Sequence, residues 1–93
     1  MTCEISRDPH FQRNYDDLPE DIQKRVEDLL REIAEEPKKI GKKLKGKLGN
    51  LRECRFKGNN INWRLVYQAE QCNVNAVIVG PKPSVYKKLK RVS

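Results

Sequence analysis

Residues 51–79 read LRECRFKGNNINWRLVYQAEQCNVNAVIV, and their apolar period is two. Leu51–Phe56 alternates as a strand does, and Lys57-Gly58-Asn59-Asn60 supplies turn residues that tolerate positive φ. Ile61–Gln68 is the returning strand, with Ile61, Trp63, Leu65 and Tyr67 on one face and Asn62, Arg64, Val66 and Gln68 on the other. Gln71-Cys72-Asn73 turns the chain again, and Val74–Val79 makes a third consecutive strand. These segments form an antiparallel meander whose apolar face needs a cover.

The cover lies upstream. Asp8-Pro9 is an N-cap followed by proline at the first helical position, and Phe11, Tyr15 and Leu18 recur at helical spacing. The spacing predicts a short helix over Pro9–Asp16. Leu18-Pro19-Glu20-Asp21 starts a second, longer helix with two acids in its first turn, and Ile22, Val26, Leu29, Leu30 and Ile33 line one side of it. Pro37 ends it. Cys3–Ser6 is a short leading strand. Residues 38–50 hold six lysines and three glycines and read as a basic connecting loop, with Ile40, Leu44 and Leu48 as anchors. Gly80-Pro81-Lys82-Pro83 reads as a rigid loop before a short, lysine-tipped helix at Ser84–Arg91. The order β-α-α-β-β-β with a short C-terminal helix predicts one two-layer α+β domain over residues 1–93. Its N-terminal αα-hairpin packs on a small antiparallel-rich sheet, and the second sheet face looks to water or a ligand.

Composition narrows the function. The chain has 93 residues, and charged residues make up 35% of it, so a small core sits inside a heavily solvated shell. No apolar run nears the ~20 residues of a membrane span, and no signal-like segment opens the chain, so a cytoplasmic protein is expected. Cys3, Cys54 and Cys72 are an odd number without metal-type spacing beside a single His10, which argues against a disulfide scaffold and a zinc site. No cofactor motif is present. Residues 1–36 carry net charge −6 and residues 37–93 carry +13, so the positive field belongs to the C-terminal three-fifths. Such segregation points to a polyanionic partner or to an acidic protein that covers the same surface.

The residues that remain for chemistry are bases and tyrosines on the sheet. Arg64 stands mid-strand, where it is either a planar fork for phosphate or a surface arginine paired with Glu53 or Glu70. Arg52 and Arg55 have opposite parity, so only one of them shares the open face unless a bulge intervenes. Lys82 and Tyr86 follow the last strand and can reach over the sheet rim, and Tyr86 can equally pack the tail onto the core.

Leu44-Lys45-Gly46, Leu51 to Arg55, Trp63-Arg64-Leu65-Val66-Tyr67, Val79-Gly80-Pro81-Lys82 and Val85-Tyr86, together with Leu18-Pro19 through Glu36-Pro37, resemble the RelE/ParE superfamily of bacterial toxins, most of all its RelE branch. The resemblance implies a RelE-like fold and a type II toxin that acts as a ribosome-dependent, metal-independent endoribonuclease on mRNA. It implies that Arg64 contacts the scissile phosphate, that Tyr86 is the C-terminal catalytic tyrosine, and that Lys82 replaces a nearby arginine. Arg52 falls on the first of two catalytic lysines. Cys54 falls on the second, a departure for which Arg55 can substitute. The Glu and His of the YoeB branch have no counterpart, since Lys42 and Val85 stand at those positions.

The implied reaction is attack of the substrate's 2′-OH on the adjacent phosphorus with loss of the 5′-oxygen. Cations around Tyr86 would lower its pKa toward that of a base. Lys43, Lys45, Lys47, Lys87 and Lys88 would hold RNA phosphates on mRNA and the ribosome, and an acidic or disordered antitoxin would cover this surface. The toxin is expected to be a monomer alone and a hetero-oligomer with its antitoxin. The alternatives within the same fold are a ParE-like poison of DNA gyrase and an inactive member that only binds RNA or antitoxin. If three of these lysines each neutralise one phosphate, RNA affinity in filter binding falls more than about tenfold between ~50 and ~200 mM salt; an affinity flat with salt would remove the basic surface from the account.

Overall fold

The computed structural model describes residues 2–44 and 51–92, with side chains through residue 87. The chain runs β1 (Glu4–Arg7), α1 (Pro9–Asp16), α2 (Glu20–Glu35), α3 (Pro37–Ile40), β2 (Lys42–Lys43), β3 (Leu51–Gly58), β4 (Ile61–Glu70), β5 (Asn73–Pro81) and α4 (Lys82–Val92). The sheet order is β1-β5-β4-β3-β2, antiparallel except where β1 lies parallel to β5. This is the expected two-layer α+β domain. No helix among the described residues is long and apolar enough to cross a membrane.

The β3–β4 hairpin closes at the Gly58↔Ile61 pair, so Asn59 and Asn60 form a two-residue turn with φ of 52° and 61°. Both central residues at positive φ match the twist of the strands, and asparagine tolerates that conformation. The strands of the meander run two or three residues longer than the sequence pattern alone suggests. In the α1 cap, the Asp8 carboxylate accepts from the His10 N–H at 3.0 Å. Phe11 from α1 and Ile22, Val26, Leu29, Leu30 and Ile33 from α2 are buried against Cys54, Phe56, Trp63, Leu65 and Tyr67.

Four expectations need correction. Residues 37–43 are not plain loop but a helical turn and a short edge strand. Tyr67, fully buried, donates its phenolic hydrogen to the Pro37 carbonyl at 2.8 Å and accepts from the Gly41 N–H at 3.1 Å. Arg52 Nη2 donates to the Lys38 and Gly41 carbonyls, each at 2.6 Å. These bonds satisfy backbone groups of residues 37–41 and hold the segment to the sheet. A Cβ on Gly41 would stand 2.6 Å from Tyr67 Oη and 2.9 Å from the Glu53 carbonyl, so only glycine fits this approach. Ile40 packs on the main core and Leu44 on the second face, whereas Leu48 lies outside the described residues.

The second correction concerns that face, which is not wholly open. Val66, Ile78 and Val85 form a smaller core beneath α4, joined by Leu44, Leu51, Val77 and Tyr86. Third, the helix α4 begins at Lys82, with Pro83 inside its first turn, where its missing N–H costs nothing. Fourth, Cys3 and Cys72 form a disulfide with their Cα atoms 4.7 Å apart, leaving Cys54 free and buried. The parallel pairing Glu4↔Asn73 brings them together across 69 residues, which Cys spacing could not reveal.

Tyr67→Phe removes the side-chain oxygen bonded to Gly41 N–H. The variant is expected to lose about 1–3 kcal/mol of stability, read as a lower urea midpoint at unchanged slope. An unchanged midpoint would show that the 37–43 segment is held by other means.

Candidate active site on the open sheet face

Directly paired residues of antiparallel strands point to the same side. The register pairs Lys42 with Glu53, Glu53 with Val66, Arg55 with Arg64, and Arg64 with Gly80. Because Trp63, Leu65 and Tyr67 are committed to the helical layer, Lys42, Glu53, Arg55 and Arg64 all stand on the other side. Tyr86, in the second turn of α4, reaches the same place. Its hydroxyl donates to Glu53 Oε2 at 2.6 Å, and Arg55 Nε donates to Glu53 Oε1 at 3.2 Å. Arg55 and Tyr86 therefore meet around one carboxylate, and Arg64 stands beside Tyr86.

Burial gives this cluster its force. Glu53 is 5% and Arg64 7% exposed, the two buried charged residues among those described. Arg64 Nη1 donates to its neighbour Trp63's carbonyl at 3.0 Å, while its Nε is buried without a partner. A buried charged donor left unpaired costs free energy that an entering anion would recover. Arg55 and Arg64, facing each other across two strands, repel unless an anion lies near them, and Glu53 supplies one negative charge against Lys42, Arg55 and Arg64. The remaining charge is positive. The cluster thus combines net positive charge with a phenol and a carboxylate. A cleft of about 210 Å³ beside the sheet edge is lined by Ile40, Lys42, Glu53, Cys54 and Arg55 and leads to the carboxylate.

The predicted site residues sort clearly. Arg64, Arg55 and Tyr86 are brought together. Lys82, exposed in the first turn of α4, stands four residues before Tyr86 and so on the same helix flank. Arg52 is not brought there: it shares the helical side with Tyr67 and holds the 38–41 backbone. Cys54 is buried in the main core on that side, with its thiol pKa pushed up by burial, so it occupies no place in the cluster. Lys43 pairs with Arg52 and is directed away from Arg64, although exposed. Lys87 is exposed on α4; Lys45, Lys47 and the side chain of Lys88 lie outside the described residues.

Two members were missed by sequence reasoning, Glu53 and Lys42. The available signal was that Glu53 shares parity with Arg55 and is one of only two acids after residue 36. Its presence also reverses the expected titration of Tyr86. The Glu53 hydrogen bond and then burial push the phenol above its ordinary value, against a smaller opposite pull from Arg64.

With this geometry in place, the comparisons with known proteins become informative. Residues 5–90 match the family described as ParE-like toxin of type II bacterial toxin–antitoxin system. The chain belongs to this toxin family. Among solved structures, a free-state variant of the Escherichia coli toxin RelE superposes with TM-score 0.79 at 22% identity, over 100% of both chains. The RelBE2 toxin–antitoxin complex of Mycobacterium tuberculosis gives TM-score 0.78 at 20% identity, covering 87% of this toxin and 99% of that chain. The archaeal RelE–RelB complex of Pyrococcus horikoshii gives 0.64 at 20% identity, over 87% and 96%. No curated protein matches the toxin by sequence.

Since Glu53 is the largest cause of the raised Tyr86 pKa, Glu53→Gln should bring the phenol's titration to lower pH. Tyr86 ¹³Cζ shifts measured against pH report this; a midpoint that rises or stays put would separate Tyr86 from Glu53 in solution. By linkage, a phenol that holds its proton more tightly when folded contributes stability below its unfolded pKa of about 10, and that stability is lost as pH rises through the folded value.

Proposed function

We propose that this toxin is a ribosome-dependent endoribonuclease that cleaves mRNA by attack of a 2′-OH on the adjacent phosphate. The observation that carries the reading is the buried Arg64, opposite Arg55 and beside Tyr86, on one face of the sheet. A pentacoordinate phosphorus gains negative charge as the 2′-oxygen attacks, and preorganised guanidinium donors stabilise that charge without reorganisation. Arg64 would hold the non-bridging oxygens, with Arg55 and Lys42 adding charge, and Lys82 standing at the rim. Exposed Lys87 and the other lysines of the basic C-terminal part would bind rRNA and mRNA phosphates without sequence choice.

A cognate antitoxin of acidic, partly disordered character would cover the same face, since solved relatives of this fold include toxin–antitoxin complexes. The toxin would act in the cytoplasm, alone as a monomer and silenced in a hetero-oligomer. One observation favours a second reading: the matching family is described as ParE-like, and a ParE-like toxin that poisons DNA gyrase would need no phosphate-cleaving cluster.

Induction of the toxin followed by mapping of mRNA 5′ ends tests the proposal. Codon-phased cuts confined to translated messages are expected; DNA-damage signalling without cuts would overturn it in favour of gyrase. Arg64→Ala should lower the cleavage rate by about 10²–10³ and abolish growth inhibition while the protein stays folded. A fully toxic Arg64→Ala protein would remove Arg64 from the site.

A further inference from the structure

Glu53 has no place in the sequence-based account of the reaction, yet it is the best-buried acid of the described residues and stands at the centre of the cluster. A carboxylate buried between a tyrosine and an arginine depends on those partners, because desolvation disfavours the charged group unless they hold. Its partners here are a hydroxyl at 2.6 Å and a guanidinium at 3.2 Å, on two different oxygens. The arrangement connects a proton acceptor directly to a proton donor.

We infer that Glu53 is the catalytic base and Tyr86 the catalytic acid of the cleavage, and that their mutual hydrogen bond restores both after each turnover. This rests on the endoribonuclease reading. The chemistry balances. Glu53 takes the proton of the 2′-OH as the 2′-oxygen forms its bond to phosphorus. The P–O5′ bond breaks, and Tyr86 Oη gives its proton to the departing 5′-oxygen. The products are a 2′,3′-cyclic phosphate and a 5′-hydroxyl. The enzyme is left with a neutral Glu53 and a Tyr86 phenolate, and the proton returns along the Oη–Oε2 contact without help from water.

Three features support this division of labour over a tyrosine base. Tyr86 donates to Glu53 in the resting protein, so the phenol carries the proton that an acid needs. Arg55 and Tyr86 engage different oxygens of Glu53, which fixes the carboxylate's orientation within the cluster. The cleft lined by Lys42, Glu53 and Arg55 provides a route for a ribose to the carboxylate from the β2 side, away from the α4 side on which Tyr86 sits.

The test uses full-length toxin on translating ribosomes, with single-turnover cleavage of an mRNA carrying either an ordinary linkage or a bridging 5′-phosphorothiolate at the cut site. A thiolate leaves without a proton, so that substrate no longer needs an acid. Glu53→Gln is expected to slow cleavage at least about 100-fold on both substrates. Tyr86→Phe is expected to be slow on the ordinary linkage and restored to within about tenfold of wild type on the phosphorothiolate. Sedimentation with ribosomes should be unchanged for both variants. If wild-type toxin leaves translated mRNA intact, the endoribonuclease reading itself fails. If wild type cleaves and Glu53→Gln cleaves as fast or faster, Glu53 is not the base. Tyr86→Phe that stays equally slow on both substrates denies Tyr86 the acid role. Should Glu53→Gln not bind ribosomes, the wild-type rate against pH decides: a rise governed by one carboxylate at acid pH is expected, and a flat profile contradicts the inference.

Discussion

Tyr67 buries its ring in the main core and donates its phenolic hydrogen to the Pro37 carbonyl, and this contact determines on which side of the sheet each residue of β4 must stand. With Trp63, Leu65 and Tyr67 held beneath the helices, strand alternation leaves Arg64 no choice but the opposite face. Pairing then carries the constraint outward, from Arg64 to Arg55 and from Val66 to Glu53 and on to Lys42. A slip of one residue in β3 would exchange Glu53 and Arg55 for Arg52 and Cys54, and the cluster around Glu53 would vanish. The buried Phe56 and Cys54 guard against that slip, because it would put both in the wrong layer.

The same constraint explains which parts of the site were legible in the sequence. The faces of β4 followed from period alone, as did the two N-terminal helices and the meander. Arg64 and Tyr86 were found because one stands mid-strand and the other just past the last strand, at positions that resemble the RelE pattern. The choice between Arg52 and Arg55 was not legible, since parity within β3 has meaning only once β3 is registered against β4. Likewise the stretch around Gly41 looked like a loop because its order comes from Tyr67 and Arg52, which are distant in sequence. The Cys3–Cys72 link depends on a parallel strand pair that no local pattern encodes.

Glu53 illustrates a different limit. A glutamate between arginines on a strand reads as simple charge balance, and in an exposed position it would be worth little. Burial changes its meaning. At 5% exposure, with Tyr86 on one oxygen and Arg55 on the other, it becomes a group whose protonation state matters to its neighbours. Arg52 shows the converse: a residue matched to a family's catalytic position serves here as a clamp on backbone carbonyls. Residue types carry over between relatives at about 20% identity less safely than sheet positions do.

The central proposal is that the buried Arg64 guanidinium would engage a phosphate oxygen. The most direct measurement is the ¹H–¹⁵N resonance of Arg64 Nε during titration with a short RNA whose 2′-oxygens are methylated, so that it binds without being cut. The account predicts a saturable shift of Arg64 Nε, accompanied by Arg55 Nε and lost when salt is raised. Shifts confined to exposed lysines while Arg64 Nε stays unmoved would contradict it.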